Sequence, residues 1–206
     1  AGASPPTGLL PLGLSGSDRD GVLYVPSGYT PRRPTPLVLS FHGAGGSGRR
    51  SLQRLRPLAD ELGLLVLSPD SRESTWDVVR TGYGPDVEFV DRALDLVFAG
   101  YAVDPARIAA EGFSDGASYA LSLGLLNGDL FPCVMAFSPG FVLAERRRGR
   151  PRCFVSHGRS DPVRRPLRRV RRRAHRASGD RPRGGGLAAR PGVSGCTWLW
   201  PKFSPY

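Results

Sequence analysis

The chain has 206 residues, one domain's worth, and 40% of them are hydrophobic, enough for a real core. Its formal net charge of +11 suggests an anionic partner only until it is located: residues 164–206 carry eleven Arg and Lys202 against Asp180 alone, whereas residues 1–163 carry 17 basic and 17 acidic groups. Three isolated His and three scattered Cys form neither a zinc knuckle nor an H-E-x-x-H helix, and no run approaches the ~18 apolar residues of a membrane span, which argues against a metal centre and a spanning helix.

Residues 1–19, opening Ala1-Gly2-Ala3-Ser4-Pro5-Pro6, have the character of an exposed, poorly ordered leader. Val22 to Val25 is a first strand, ended by Pro26, and Leu37 to Phe41 a second, short and apolar. The second runs straight into His42-Gly43-Ala44-Gly45-Gly46-Ser47-Gly48, an open loop with no bulky side chain until Arg49. Glycines there leave backbone N–H groups free to face an oxyanion, each such donor being worth roughly 3 kcal/mol in a transition state. Leu52, Leu55, Leu58, Ala59 and Leu62 recur at helical spacing, and Leu64 to Leu67 is a third strand. Trp76, in the loop Ser74-Thr75-Trp76-Asp77, either lines an acyl or aromatic pocket or is ordinary packing. A second helical pattern, Val90, Ala93, Leu94, Val97 and Phe98, is opened by Pro85 at a first-turn position.

Ile108 to Ala110 is the fourth strand, and Glu111-Gly112-Phe113-Ser114-Asp115-Gly116 follows it. A serine flanked by glycines two residues away on each side, directly after an apolar run, reads as a nucleophile elbow: a strained strand-to-helix turn that pushes the hydroxyl out of the sheet. Val134 to Phe137 and Cys153 to Ser156 are the fifth and sixth strands. The fourteen residues between them, 138–151, are too few for a lid domain, so the site is open to water and suits soluble or short esters, or a polymer lying in a groove. After the sixth strand, His157-Gly158-Arg159-Ser160-Asp161-Pro162-Val163 ends on an acid, and Asp161 is the natural orienter of a catalytic imidazole. Cys133 and Cys153, each in a strand, read as small buried hydrophobes rather than disulfide partners, and Cys196 lies in the tail. Short apolar strands alternating with amphipathic helices argue for an α/β fold, a mostly parallel sheet covered on both faces, with the catalytic groups at the carboxyl ends of strands.

Five stretches carry a family resemblance: Tyr24-Val25-Pro26-Ser27-Gly28-Tyr29, Phe41-His42-Gly43-Ala44-Gly45-Gly46, Tyr101-Ala102-Val103-Asp104-Pro105-Ala106-Arg107-Ile108, Gly112-Phe113-Ser114-Asp115-Gly116 and His157-Gly158-Arg159-Ser160-Asp161-Pro162-Val163. On these, the chain resembles the α/β-hydrolases, and within them the small serine esterases of the polyhydroxybutyrate-depolymerase/feruloyl-esterase and phospholipase/carboxylesterase type, over roughly residues 20–163. The resemblance implies a serine carboxylester hydrolase with no cofactor. Ser114 attacks, Asp161 orients a histidine, and the backbone N–H groups of Ala44 and Asp115 hold the oxyanion. His42, Gly43 and Gly45 support the oxyanion loop, and His157 positions the Asp161 loop. Small-molecule or polymeric esters are the expected substrates, and neither export nor a cytoplasmic site is decided.

The expected histidine comes last in such a chain, after a crossover of at least about a dozen residues and a strand of about five more. His175 alone follows Asp161, fourteen residues on, within the crossover and among Arg171, Arg172, Arg173 and Arg176. Those cations would lower its pKa and oppose an imidazolium. His175 is therefore the candidate base of an enzyme whose activity is expected to be impaired. From Arg164 on, Arg, Gly, Pro and Ala replace the strand and helix pattern, so 164–206 is expected to be an irregular tail, with the last strand and helix of the fold missing or replaced. A change of reading frame in a GC-rich coding sequence, or an alternative exon, would give this composition. The alternative is a non-catalytic hydrolase-like protein whose basic tail binds an anionic partner. Trp198, Trp200, Phe203 and Tyr206 cluster at the far end without interleaving the arginines, which argues against nucleic acid.

Overall fold

The computed structural model describes residues 5–80 and 82–158, together with Cys196, Trp198 and Leu199. Among the described residues seven strands form one sheet: β1 (Gly8–Pro11), β2 (Gly21–Val25), β3 (Thr35–Phe41), β4 (Leu65–Pro69), β5 (Val103–Phe113), β6 (Cys133–Phe137) and β7 (Arg152–Ser156), in the order β1-β2-β4-β3-β5-β6-β7. β1 and β2 are antiparallel to their neighbours, and β4, β3, β5, β6 and β7 are parallel. The α-helices among the described residues are α1 (Gly48–Leu62), α2 (Pro85–Gly100) and α3 (Asp115–Leu126).

Side chains on successive strand residues point to opposite faces. Leu37, Leu39 and Phe41 of β3 therefore join α2 and the Tyr119 side of α3 in one core cluster, while Val38 joins α1 in the other. Burial on both faces explains why these strands read as continuous apolar runs. α1 starts where the Ser47 Oγ accepts a hydrogen bond from the Arg50 N–H at 3.4 Å, and stops at Gly63, whose φ of 63° suits glycine. α2 opens on Pro85, with Asp86 and Glu88 in its first turn.

Two expectations need correction. Residues 5–19 are not a detached leader: β1 pairs with β2 from Gly8↔Val25 to Pro11↔Val22, and Leu12 is buried. The Asp20 carboxylate then gathers the N–H groups of Gly13, Leu14 and Ser15 at 2.7–3.0 Å. A four-residue edge strand with Gly and Pro at its ends is too short to show a period of two. Nor is Cys133 a free buried thiol, for it is bonded to Cys196 with a Cα–Cα distance of 5.2 Å, whereas Cys153 is exposed. The bond spans 63 positions, a distance over which sequence spacing carries no signal. Cys196 and Leu199 are buried with Val22, Tyr24, Leu52 and Met135 on the α1 face, and Trp198 packs against them. Cys196 and Leu199 are thus part of the core, with Trp198 packed against it. The expectation of a missing last strand and helix otherwise falls outside the described residues.

Denatured under non-reducing conditions, the chain should show one reactive thiol, Cys153, and three after reduction. A cross-link closing a loop of this length should stabilise by about 4 kcal/mol, so Cys196→Ser should lower the denaturation midpoint accordingly. Three reactive thiols without reductant would disprove the bond.

Candidate active site

Ser114 sits between β5 and α3 with φ 55° and ψ −121°, a conformation L-residues avoid at a cost of about 1–3 kcal/mol. Three backbones impose it. A Cβ on Gly112 would lie 2.1 Å from the Gly116 carbonyl oxygen, and one on Gly116 would lie 2.2 Å from that of Phe41. Both flanking glycines are therefore steric requirements. The Ser114 N–H donates to the Phe137 carbonyl at 2.9 Å, tying the turn to the end of β6, and its own carbonyl accepts from Ala117 and Ser118 in the first turn of α3. The serine is partly exposed.

The loop after β3 lies against this turn, since a Cβ on Gly43 would come 3.4 Å from the Ser114 Cβ. His42 is buried with both ring nitrogens engaged: Nδ1 lies 2.8 Å from the Gly43 carbonyl and Nε2 is 3.0 Å from the Ser71 N–H. An N–H donated to Nε2 fixes the neutral tautomer with its proton on Nδ1. Burial pushes the imidazole below its ordinary range, and the Arg19 guanidinium, 3.4 Å from Nε2, adds to the shift. His42 therefore braces the loop and is not free to serve Ser114 as a base. Gly45 has φ 65°, and its N–H donates to Ser74 at 2.7 Å, while the Gly46 N–H donates to the Gly43 carbonyl at 3.0 Å.

Sequence reasoning missed several of the residues that hold this arrangement. Arg19, expected in the leader, donates to the Ser71 carbonyl and to the Ser71 Oγ at 2.8 Å, and reaches the Gly46 carbonyl at 3.5 Å. The Asp70 Oδ1 accepts from the Gly48 N–H at 2.6 Å, and Thr75 donates to the Asp115 carboxylate at 2.6 Å. Ser118 and Ser122, one turn apart on α3, anchor the connection after β6: the Ser118 Oγ accepts from Gly140 at 2.9 Å, and the Ser122 Oγ from Leu143 at 2.9 Å. Tyr83 donates to the Leu143 carbonyl at 2.7 Å. Paired serines at i, i+4 on an otherwise apolar helix were the available signal. Trp76 is resolved as packing, being fully buried and stacked on Tyr119 at 4.6 Å, with Nε1 donating to the His42 carbonyl at 2.8 Å. His157 directly follows β7; Asp161 and His175 lie outside the described residues.

Two outcomes check this geometry. Gly116→Ala should cost about 3 kcal/mol or more, or leave the chain insoluble, whereas Gly28→Ala, where a Cβ meets nothing within 4 Å, should change stability by no more than about 0.5 kcal/mol. Because the folded pKa of His42 lies below its ordinary 6.5, its contribution to stability is complete above about pH 6.5 and is lost as pH falls through the folded value. Denaturation midpoints between pH 7 and 5 should therefore fall more steeply for the wild type than for His42→Gln; parallel curves would contradict a buried neutral imidazole.

No family model matches the chain. Among curated proteins it is similar to feruloyl esterase C of Emericella nidulans, 27% identical over 172 residues, which cover 78% of this chain and 63% of that protein. It is also similar to feruloyl esterase D of Neurospora crassa, 26% identical over 199 residues, 88% of this chain and 67% of that protein. The chain thus spans about three fifths to two thirds of the length of these relatives. Among solved structures it is similar to a dienelactone hydrolase-like promiscuous phosphotriesterase from metagenomic libraries, with TM-score 0.55 and 25% identity over 78% of this chain and 70% of that one. It also matches the acetyl xylan esterase of Aspergillus awamori, with TM-score 0.53 and 19% identity over 64% of this chain and 50% of that one. With a mostly parallel sheet and a serine at positive φ between β5 and α3, the chain has the α/β-hydrolase fold, and the proteins it is similar to include esterases.

Proposed function

We propose that the chain hydrolyses carboxylic esters through Ser114 and an acyl-enzyme. The observation that carries this reading is the strained Ser114 backbone, held between two glycines that admit no Cβ, at the mouth of α3. Asp115 is the first residue of α3, so its N–H has no intrahelical partner, and the helix dipole favours negative charge there. In the facing loop the Gly45 and Gly46 N–H groups are engaged elsewhere, and the second donor we propose, as the family resemblance implies, is the N–H of Ala44. In the reaction the Ser114 Oγ attacks the ester carbonyl and passes its proton to an imidazole. The N–H groups of Ala44 and Asp115 stabilise the tetrahedral oxyanion, and the alcohol departs with that proton. Water, deprotonated by the same imidazole, then releases the acid.

The imidazole is assigned to His175 by elimination, since His42 has both ring nitrogens occupied and His157 precedes Asp161, the acid proposed to orient the base. The connection from Ser138 to Leu143 is tied to α3 and Tyr83 rather than poised as a lid, which supports an open site taking soluble esters or ester groups on a polymer. The feruloyl esterases among its relatives make feruloyl esters the first substrates to try.

A fluorophosphonate probe should label the wild-type chain, and Ser114→Ala should abolish both labelling and p-nitrophenyl acetate turnover. Asp161→Asn and His175→Ala should each lower kcat by roughly 10²–10⁴-fold while leaving the circular dichroism unchanged. Turnover that survives Ser114→Ala would remove the nucleophile from this reading. Unchanged turnover in His175→Ala would remove the base, and a folded wild type that neither labels nor turns over would favour the non-catalytic alternative.

A further inference from the structure

Glu111 lies three residues before Ser114, on the face of β5 that turns toward α1, and is buried. Its strand neighbours are Ser40 of β3 on one side and Met135 of β6 on the other. The carboxylate Oε2 accepts from the Ser40 Oγ at 2.7 Å, and the Ser40 Oγ lies 2.6 Å from the Ser51 Oγ of α1. Both serines are buried as well. Arg54, one turn further along α1, donates to the Ser51 Oγ at 3.2 Å and places its guanidinium 5.5 Å from the centre of the Phe113 ring, next to the nucleophile.

The surroundings are apolar, with Val38, Ala109 and Met135 on the same face. Burial pushes the Glu111 carboxyl up, against the pull of Arg54 and of the Ser40 hydrogen bond. A buried carboxyl among such neighbours is a poor device for stability, because apolar residues of similar volume commonly do as well or better. Its connections give another reason. Ser40 stands just before the loop His42–Ser47 and Ser51 just after it, so one carboxyl ties both ends of that loop to the strand that delivers Ser114.

We propose that Glu111 is a positioning residue: through Ser40 and Ser51 it holds both ends of the oxyanion loop at a fixed offset from Ser114, a role that rests on the assignment of Ser114 as the nucleophile. Displacing oxyanion donors from the reacting carbonyl lowers the rate of the chemical step without weakening substrate binding.

The test compares wild type, Glu111→Met, Glu111→Gln and Ser51→Ala in the full chain, reading kcat and KM on p-nitrophenyl acetate, the rate of fluorophosphonate labelling and thermal stability. Glu111→Met should lower kcat and the labelling rate by roughly ten- to a hundredfold, with KM within about twofold and a melting temperature equal to or above that of the wild type. Glu111→Gln, which can still accept from Ser40, should recover most of the rate. If Glu111→Met does not fold, Ser51→Ala, which removes a single hydroxyl, should show the same loss of kcat at constant KM. Wild-type kcat in the folded variants, a loss that tracks lowered stability, or a Gln variant no better than Met would overturn the inference. A wild-type chain that takes no label would sink the assignment of Ser114 and this role with it, whereas a labelled wild type matched by Glu111→Met would sink the role of Glu111 alone.

Discussion

The contact on which the rest of the site depends is the meeting of three backbones at Gly112 and Gly116. The end of β3, the end of β5 and the start of α3 approach so closely that neither glycine can carry a methyl group. With α3 held against the carbonyl of Phe41, the chain turns from strand to helix over a single residue, and Ser114 adopts positive φ because no relaxed conformation makes that turn. The strain is offset by what surrounds it: the Ser114 N–H is paired with Phe137, and its carbonyl is taken up by the first turn of α3. The same approach brings the loop after β3 beside the serine. Ser114 and the loop after β3 are thus positioned by one packing event.

Behind that loop lies a layer of groups hydrogen-bonded to it and to one another. His42 is pinned by Ser71 and Arg19 on one side and by its bond to the Gly43 carbonyl on the other, and Trp76 supports the His42 carbonyl from below. Asp70 fixes the Gly48 N–H at the loop's exit, where a Cβ on Gly48 would lie 1.9 Å from the Ser68 carbonyl oxygen. For the oxyanion role proposed for the loop such bracing matters, because preorganised donors cost no reorganisation during the reaction. An anchored histidine, a buried indole and a braced arginine supply that bracing here. The same logic accounts for a carboxylate buried under the elbow, where an apolar side chain would fill the space.

The α1 face shows how far the core extends beyond the alternating strands and helices. Cys196 and Leu199 bury themselves among residues of β2, α1 and β6, and the bond to Cys133 fastens them there. A chain that concentrates its net charge after residue 163 nevertheless returns apolar side chains to the sheet near its end.

The amino-acid sequence by itself determined the features that depend on neighbours along the chain. The Gly-x-Ser-x-Gly turn, the glycine loop after Leu37–Phe41, six of the seven strands near their observed positions, and the helical periodicity of α1 and α2 are all written within windows of a few residues to about fifteen. They were legible because backbone sterics and apolar periodicity act locally. Tertiary structure decided the rest. β1 exists only because β2 offers it an edge, and Cys133 finds Cys196 only once the chain has folded back. Trp76 is packing because Phe41, His42 and Tyr119 converge on it from other elements. Arg19 reaches Ser71, and Glu111 reaches Ser40 and Ser51, across the gaps between elements. In each case the partner is distant in sequence, and a residue's identity alone does not say which distant group the fold will bring beside it.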